Sequence, residues 1–271
     1  MASLEFANFR EHQYLLLVSS LAGLARGLHR TQLPQEAGGL ILKLAFHAAS
    51  AHSLFQGLDL AYLGHPSAEH ASDKFFDHVT TQALTRMALE TYLTYYHVFQ
   101  QPANNVLERE LRYCAWRLAS LKAEGRWHSA ASTALPNNWS AVTTTLKQSL
   151  ASNALFLRLD RKTRSRIEEG RWRRPPWAVI AEQAGLPKTI SSPIYNMLSE
   201  SMHSGAYAAY TVMQARPATQ RSLVETDLLL MMVIMGKAIH SHLDILVLSQ
   251  DVRELVEYWA AAWSSEPETA K

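Results

Sequence analysis

The sequence predicts an all-α fold: a single large helical bundle of about eight helices, with a basic loop or insertion region on its surface. Apolar residues recur at helical spacing along most of the chain. No run alternates between apolar and polar residues, bounded by turn signals, as a half-buried strand would. The 271 residues are 48% hydrophobic and 18% charged, a globular composition with ample material for a core.

Long helices are expected at about 4–29, 36–63, 72–100 and 103–124. Ser72 followed by Asp73 reads as an N-cap with a carboxylate at the positive end of the helix dipole. Pro102 breaks the chain between the third and fourth helices. Residues 125–140, GRWHSAASTALPNNWS, have the composition of a loop. A helix over about 139–157 follows, then a basic segment interrupted by Gly170 and closed by Pro175 and Pro176. The short helix WAVIAEQAG ends at Gly185. Ser192 and Pro193 open the next helix as N-cap and first helical residue, and Pro217 closes it. Helices over about 221–248 and 250–263 complete the chain before a polar tail. Residues 1–271 are read as one all-α domain, with 125–176 a surface insertion or linker region within it.

Charge is unevenly spread. The net charge is +2, yet residues 158–174, RLDRKTRSRIEEGRWRR, hold eight Arg/Lys and three Asp/Glu. The rest of the chain therefore carries −3. Arginines near Trp172 and Trp177 suit phosphate contact with base stacking. Arg164, Arg166, Arg171, Arg173 and Arg174 are the nucleic-acid-binding candidates, with RNA or another anionic partner the ligand expected. The apolar run LLLMMVIMG at 228–236 stops at Lys237, too short to span a bilayer, so no membrane partner is expected. Glu5, Arg10, Glu11 and His12 precede the first short apolar run, the wrong order for a signal peptide. The lone Cys114 excludes an internal disulfide and a cysteine metal cluster. A cytoplasmic homo-oligomer is the resulting expectation, and the Asn138-Trp139-Ser140 sequon is read as chance.

Two polar threads run through apolar helices. Tyr195, Ser199 and His203 recur at four-residue steps and so share one helix face. Arg86 and Glu90 form an i,i+4 pair, and His97 lies seven residues further, nearly two whole turns. If the two helices pack face to face, these six side chains satisfy one another. The structural reading is a buried network, since a buried charge persists only when paired. The functional reading is a small pocket, with Tyr195, Ser199 and His97 binding ligand and His203, Arg86 and Glu90 the catalytic candidates.

The pairing of RMALETYLTYYHVF with the later YNMLSESMH, preceded by AEQAGL, resembles a bacterial all-α family of unknown function that is itself loosely similar to HEPN-type helical domains. The likeness covers roughly residues 70–250. It implies an all-α fold, matches Arg86, Glu90, Tyr195, Ser199 and His203, and implies no established activity. HEPN ribonucleases use an Arg followed by His after four to six intervening residues. None of the twelve histidines here has an arginine at that distance upstream.

Other constellations are thin. Glu200-x-x-His203 is half of a di-iron bundle motif, and no second copy exists in the chain. His240 and His242 point to different faces of a helix, and His47 and His52 are five apart. No metal or cofactor is expected, and neither a phosphate loop nor a nucleophile elbow occurs. The first functional expectation is a non-catalytic binding or interaction module. The alternative is a HEPN-related ribonuclease or nucleotide-acting enzyme, in stress or phage defence.

Overall fold

In the helix α1 (Glu11–Leu28), Tyr14, Leu17, Leu21, Leu24 and Leu28 are all buried, at the three- and four-residue steps that place side chains on one face. The computed structural model describes residues 10–59, 74–130, 138–173, 175–186, 193–199 and 216–262. The fold is all-α, apart from a two-residue antiparallel ladder of β1 (Leu58–Asp59) and β2 (Lys74–Phe75). By contacts the chain divides into two compact units, Met1–Tyr95 with Ala181–Lys271, and Tyr96–Ile180.

The first unit packs α1 on α2 (Gln35–Phe55), and α2 on α3 (His78–Tyr95). The buried Tyr14 hydroxyl donates to the Ala48 carbonyl at 2.8 Å, tying α1 to α2. Gly57, at φ 74°, follows the end of α2. This left-handed turn, which favours glycine, ends the helix expected to run to 63. The helix expected from 72 begins instead at His78, where the Asp77 carboxylate accepts from the Thr80 amide at 2.9 Å; Ser72 and Asp73 lie outside the described residues.

Residues 193–199 of this unit are helical (α9), and the central helix α10 spans Pro217–His240. Pro217 opens this helix where it was expected to close the preceding one. A proline in the first turn loses no hydrogen bond, because that N–H has no intrahelical partner. Leu228 to Met235 are all buried, explaining the absence of a polar stripe. Gly236 faces α11 (Gln250–Ala261): a Cβ there would stand 2.8 Å from Trp259 Cβ and 2.9 Å from the Ala260 nitrogen. Only glycine permits that crossing. The helix expected to reach 248 stops at His240, and Ser241 Oγ donates back to Ala238 at 3.0 Å. The following segment lays Ile245 and Leu246 over Gly27 and Gly23 of α1.

The second unit starts with a π-helical turn, Tyr96–Gln100, and continues through α4 (Val106–Ala130), α5 (Trp139–Ser152), α6 (Ala154–Leu157) and α7 (Arg161–Glu168) to the start of α8 (Trp177–Gln183). Its core gathers Cys114, Leu118, Leu121, Leu146, Phe156 and Ile167. Helix α4 continues through Gly125 into the expected loop. The Trp139 ring stands 3.1 Å from where a Gly125 Cβ would lie, so a close aromatic contact accompanies a residue that otherwise weakens helices. The helix expected over 139–157 breaks at Asn153, whose side chain accepts from the amides of Leu155 and Phe156 and caps α6. The basic segment expected as a loop holds α7, capped by Asp160 through the Thr163 amide at 2.9 Å and followed by Gly170 at φ 91°. Its Ile167 is buried in the core. One apolar anchor and two terminal signals fold a stretch that looks uniformly charged.

Candidate functional site

Arg86 projects from the middle of α3 with a side chain only 11% exposed, so every guanidinium nitrogen requires an acceptor. Its Nε donates to Glu90 Oε1 at 3.1 Å, its Nη1 to Ser199 Oγ at 2.8 Å and its Nη2 to the Tyr195 hydroxyl at 2.9 Å. The Tyr195 hydroxyl in turn donates to Glu90 Oε1 at 2.8 Å. Arg86, Tyr195 and Glu90 thus close a ring, with Ser199 as a side branch. The guanidinium carbon also sits 4.8 Å from the Tyr195 ring centroid, a cation–π contact. Burial, and then the hydrogen bond to the Glu90 carboxylate, raise the Tyr195 phenol above its ordinary pKa. The phenol is held protonated as a donor.

The two threads therefore meet at Arg86, Glu90, Tyr195 and Ser199, as helical spacing predicted. His203 lies outside the described residues. The partners of His97 are found elsewhere. The α-geometry of α3 ends at Tyr95, and the π turn that follows closes with Gln101 N bonded to Tyr96 O at 2.8 Å. Counting seven residues as two α-turns no longer applies there. In the second unit, Arg112 Nη1 lies 3.0 Å from His97 Nδ1 and donates to the His97 carbonyl at 2.8 Å. Burial and the Arg112 cation depress the imidazole to about 4, so it is neutral near pH 7. Arg112 also pairs with Glu108 one turn back, an i,i+4 signal legible in the sequence but not connected to His97.

The basic residues occupy distinct positions. Arg161, Lys162, Arg166 and Arg171 line an open cleft of about 770 Å³ along α7, with Ser165 and Glu169 completing it. Ser165 Oγ donates to Glu169 Oε1 at 3.0 Å, so the one carboxylate in the lining is already engaged. Arg164 is half-buried and is not part of that lining. Arg173 stacks on Trp177, its guanidinium carbon 4.1 Å from the ring centroid. Arg174 lies outside the described residues. Arg161 and Lys162, from the same basic segment, thus line the cleft beside Arg166 and Arg171.

Cys114 is buried, and burial followed by the Glu110 charge pushes its thiol up to about 11. Among the described residues no three His, Cys, Asp or Glu side chains gather as a metal site requires. No described helix is long and apolar enough to cross a membrane. Comparison with protein-family models, curated proteins and solved structures gives no match.

Proposed function

We propose that this protein is a non-catalytic binding module that takes an anionic partner through the basic face of its second unit. The observation that carries the reading is how charge divides between the two units. Residues 96–180 hold 14 Arg/Lys against 6 Asp/Glu, for +8, whereas the remaining residues hold 12 against 18, for −6. The chain-wide +2 is the remainder of two opposed populations. Within the basic unit, four cations converge on one open cleft with a single carboxylate among them. Such a concentration of one sign attracts and orients polyanions. The Arg86 ring supports the non-catalytic side of the reading: its guanidinium and carboxylate are spent on one another and on Tyr195, as in an internal brace.

Fluorescence anisotropy against salt, with inorganic polyphosphate and a single-stranded RNA as ligands, tests this. Binding weakens steeply with salt, by about 0.7 in log–log slope for each phosphate contacted on a single strand. Replacing Arg161, Lys162, Arg166 and Arg171 together by Gln lowers the RNA slope by roughly 3, at that value per contact. Binding that is absent, or indifferent to salt and to those four substitutions, refutes the proposal. RNA that is cleaved by the protein and spared by His203→Ala replaces it with the enzymatic alternative.

A further inference from the structure

Arg173 is placed differently from the cations of the cleft. It is exposed, yet its guanidinium carbon sits over the Trp177 ring, 4.1 Å from the centroid. Trp177 is braced in turn by Trp172, with centroids 6.3 Å apart and planes at 73°. Trp172 packs against the core of the second unit and meets the His97 ring at 6.0 Å. The array runs from the core outward through Trp172 and Trp177 to an arginine at the surface. A solvated arginine loses rotamer freedom when it binds a ligand. Here the cation–π contact with Trp177 already holds the guanidinium over the ring before any ligand arrives.

Arg173 also follows closely on the basic cleft. Arg171 lines the cleft, and Arg173 is two residues further on, so at most about 7 Å separates their Cα atoms at 3.3–3.6 Å per residue. A ligand gripped at Arg171 by a phosphate has its next planar group within reach of Arg173. Planar guanidinium groups and aromatic rings are surfaces on which unpaired bases stack. In a duplex those faces are already covered by neighbouring base pairs.

We propose that Arg173, backed by Trp177, is a base-stacking platform beside the phosphate cleft of α7, and that the ligand class is single-stranded nucleic acid. The inference rests on the anionic-partner reading above and adds the recognition of bases to it. Arg171 and its neighbours grip the backbone, whereas Arg173 contributes chiefly through its plane.

Arg173→Lys separates the two roles, because it keeps the charge and removes the planar surface. Three ligands are compared by anisotropy: inorganic polyphosphate, a single strand of about 12 nucleotides, within the site sizes common for such proteins, and an abasic strand of equal length. The wild type favours the base-bearing strand over the abasic one by about 5- to 150-fold, the range that stacking of one base supplies. Arg173→Lys loses that preference while binding polyphosphate and the abasic strand as the wild type does. Arg171→Gln weakens binding to all three ligands and keeps the preference. A preference that survives Arg173→Lys overturns the platform. So does a duplex of the same sequence bound as tightly as the single strand. Equal binding of base-bearing and abasic strands by the wild type overturns the platform alone, and failure to bind any of the three ligands overturns the anionic-partner reading with it.

Discussion

Removing the Glu90 carboxylate tests whether the Arg86 ring is a brace. Glu90→Ala takes away the acceptor of Arg86 Nε and of the Tyr195 hydroxyl together. Breaking a fully buried pair by removing one partner costs about 3–5 kcal/mol, and an exposed pair is worth under about 1 kcal/mol. The ring lies between these limits: the Arg86 side chain is 11% exposed and that of Glu90 is 33% exposed. Arg86 keeps Tyr195 and Ser199 as acceptors after the substitution, so its charge is not left wholly unpaired. The expected loss is about 2 kcal/mol, between those two limits. With a urea dependence of about 2–3 kcal/mol/M, the midpoint followed by far-UV circular dichroism falls by nearly 1 M. Arg86→Met in the Glu90→Ala background costs less than Arg86→Met alone, because the partners are coupled. A Glu90→Ala loss below about 0.5 kcal/mol, typical of an unconstrained surface position, refutes the brace. Strict additivity in the double mutant does the same.

Two further outcomes follow from buried titratable groups. Asp227 is 2% exposed and its Oδ2 has no hydrogen-bond partner, and burial holds its carboxyl well above the usual carboxylate range. Its contribution is fully present below the unfolded value of about 3.9 and is lost as pH rises through the folded one; Asp227→Asn therefore flattens this decline in thermal scans, and an unchanged pH profile counts against it. His97 behaves in the opposite sense: its folded value of about 4 lies below its ordinary 6.5, so stability is present above 6.5 and lost as pH falls toward 4, by about 3 kcal/mol at 1.36 per unit. Tryptophan fluorescence follows this loss, since five of the seven tryptophans lie in residues 96–180, and His97→Gln that retains the full acid sensitivity refutes the assignment.

Helical spacing made the ring legible in advance. Arg86 with Glu90 and Tyr195 with Ser199 each lie four apart, and the spacing survives wherever the helix is regular. It failed for His97 because the π turn changes the number of residues per turn, and nothing in TYYHVFQ announces that change. Pro217 was misassigned for a related reason: proline marks a helix boundary, but the same residue serves the end of one helix and the start of the next. The short helix α7 was hidden by composition. Its single buried residue, Ile167, gives no periodic signal, although Asp160 and Gly170 frame it as cap and terminator. Contacts remote in sequence, such as the Tyr95 phenol meeting His242, carry no local signal at all.

The same distinction between local and spatial order governs the charge. Read along the sequence, basicity is confined to 158–174, at +5. Grouped by compact unit, Arg109, Arg112, Arg117, Lys122, Arg126 and Lys147 join it, and the sum rises to +8. Arg112 among these cations is committed internally, held by His97 and Glu108. Cations outside the cleft lining add to the potential around it, and that potential fades over a Debye length of about 10 Å at 0.1 M salt. Long-range attraction and direct contact should therefore separate experimentally. Salt slopes count the phosphates neutralised at Arg161, Lys162, Arg166 and Arg171. Association rates at low salt respond to the wider field, including the arginines outside the cleft lining. A substitution such as Arg117→Gln is expected to slow association while leaving the salt slope nearly intact, which is the mark of a charge that steers without gripping.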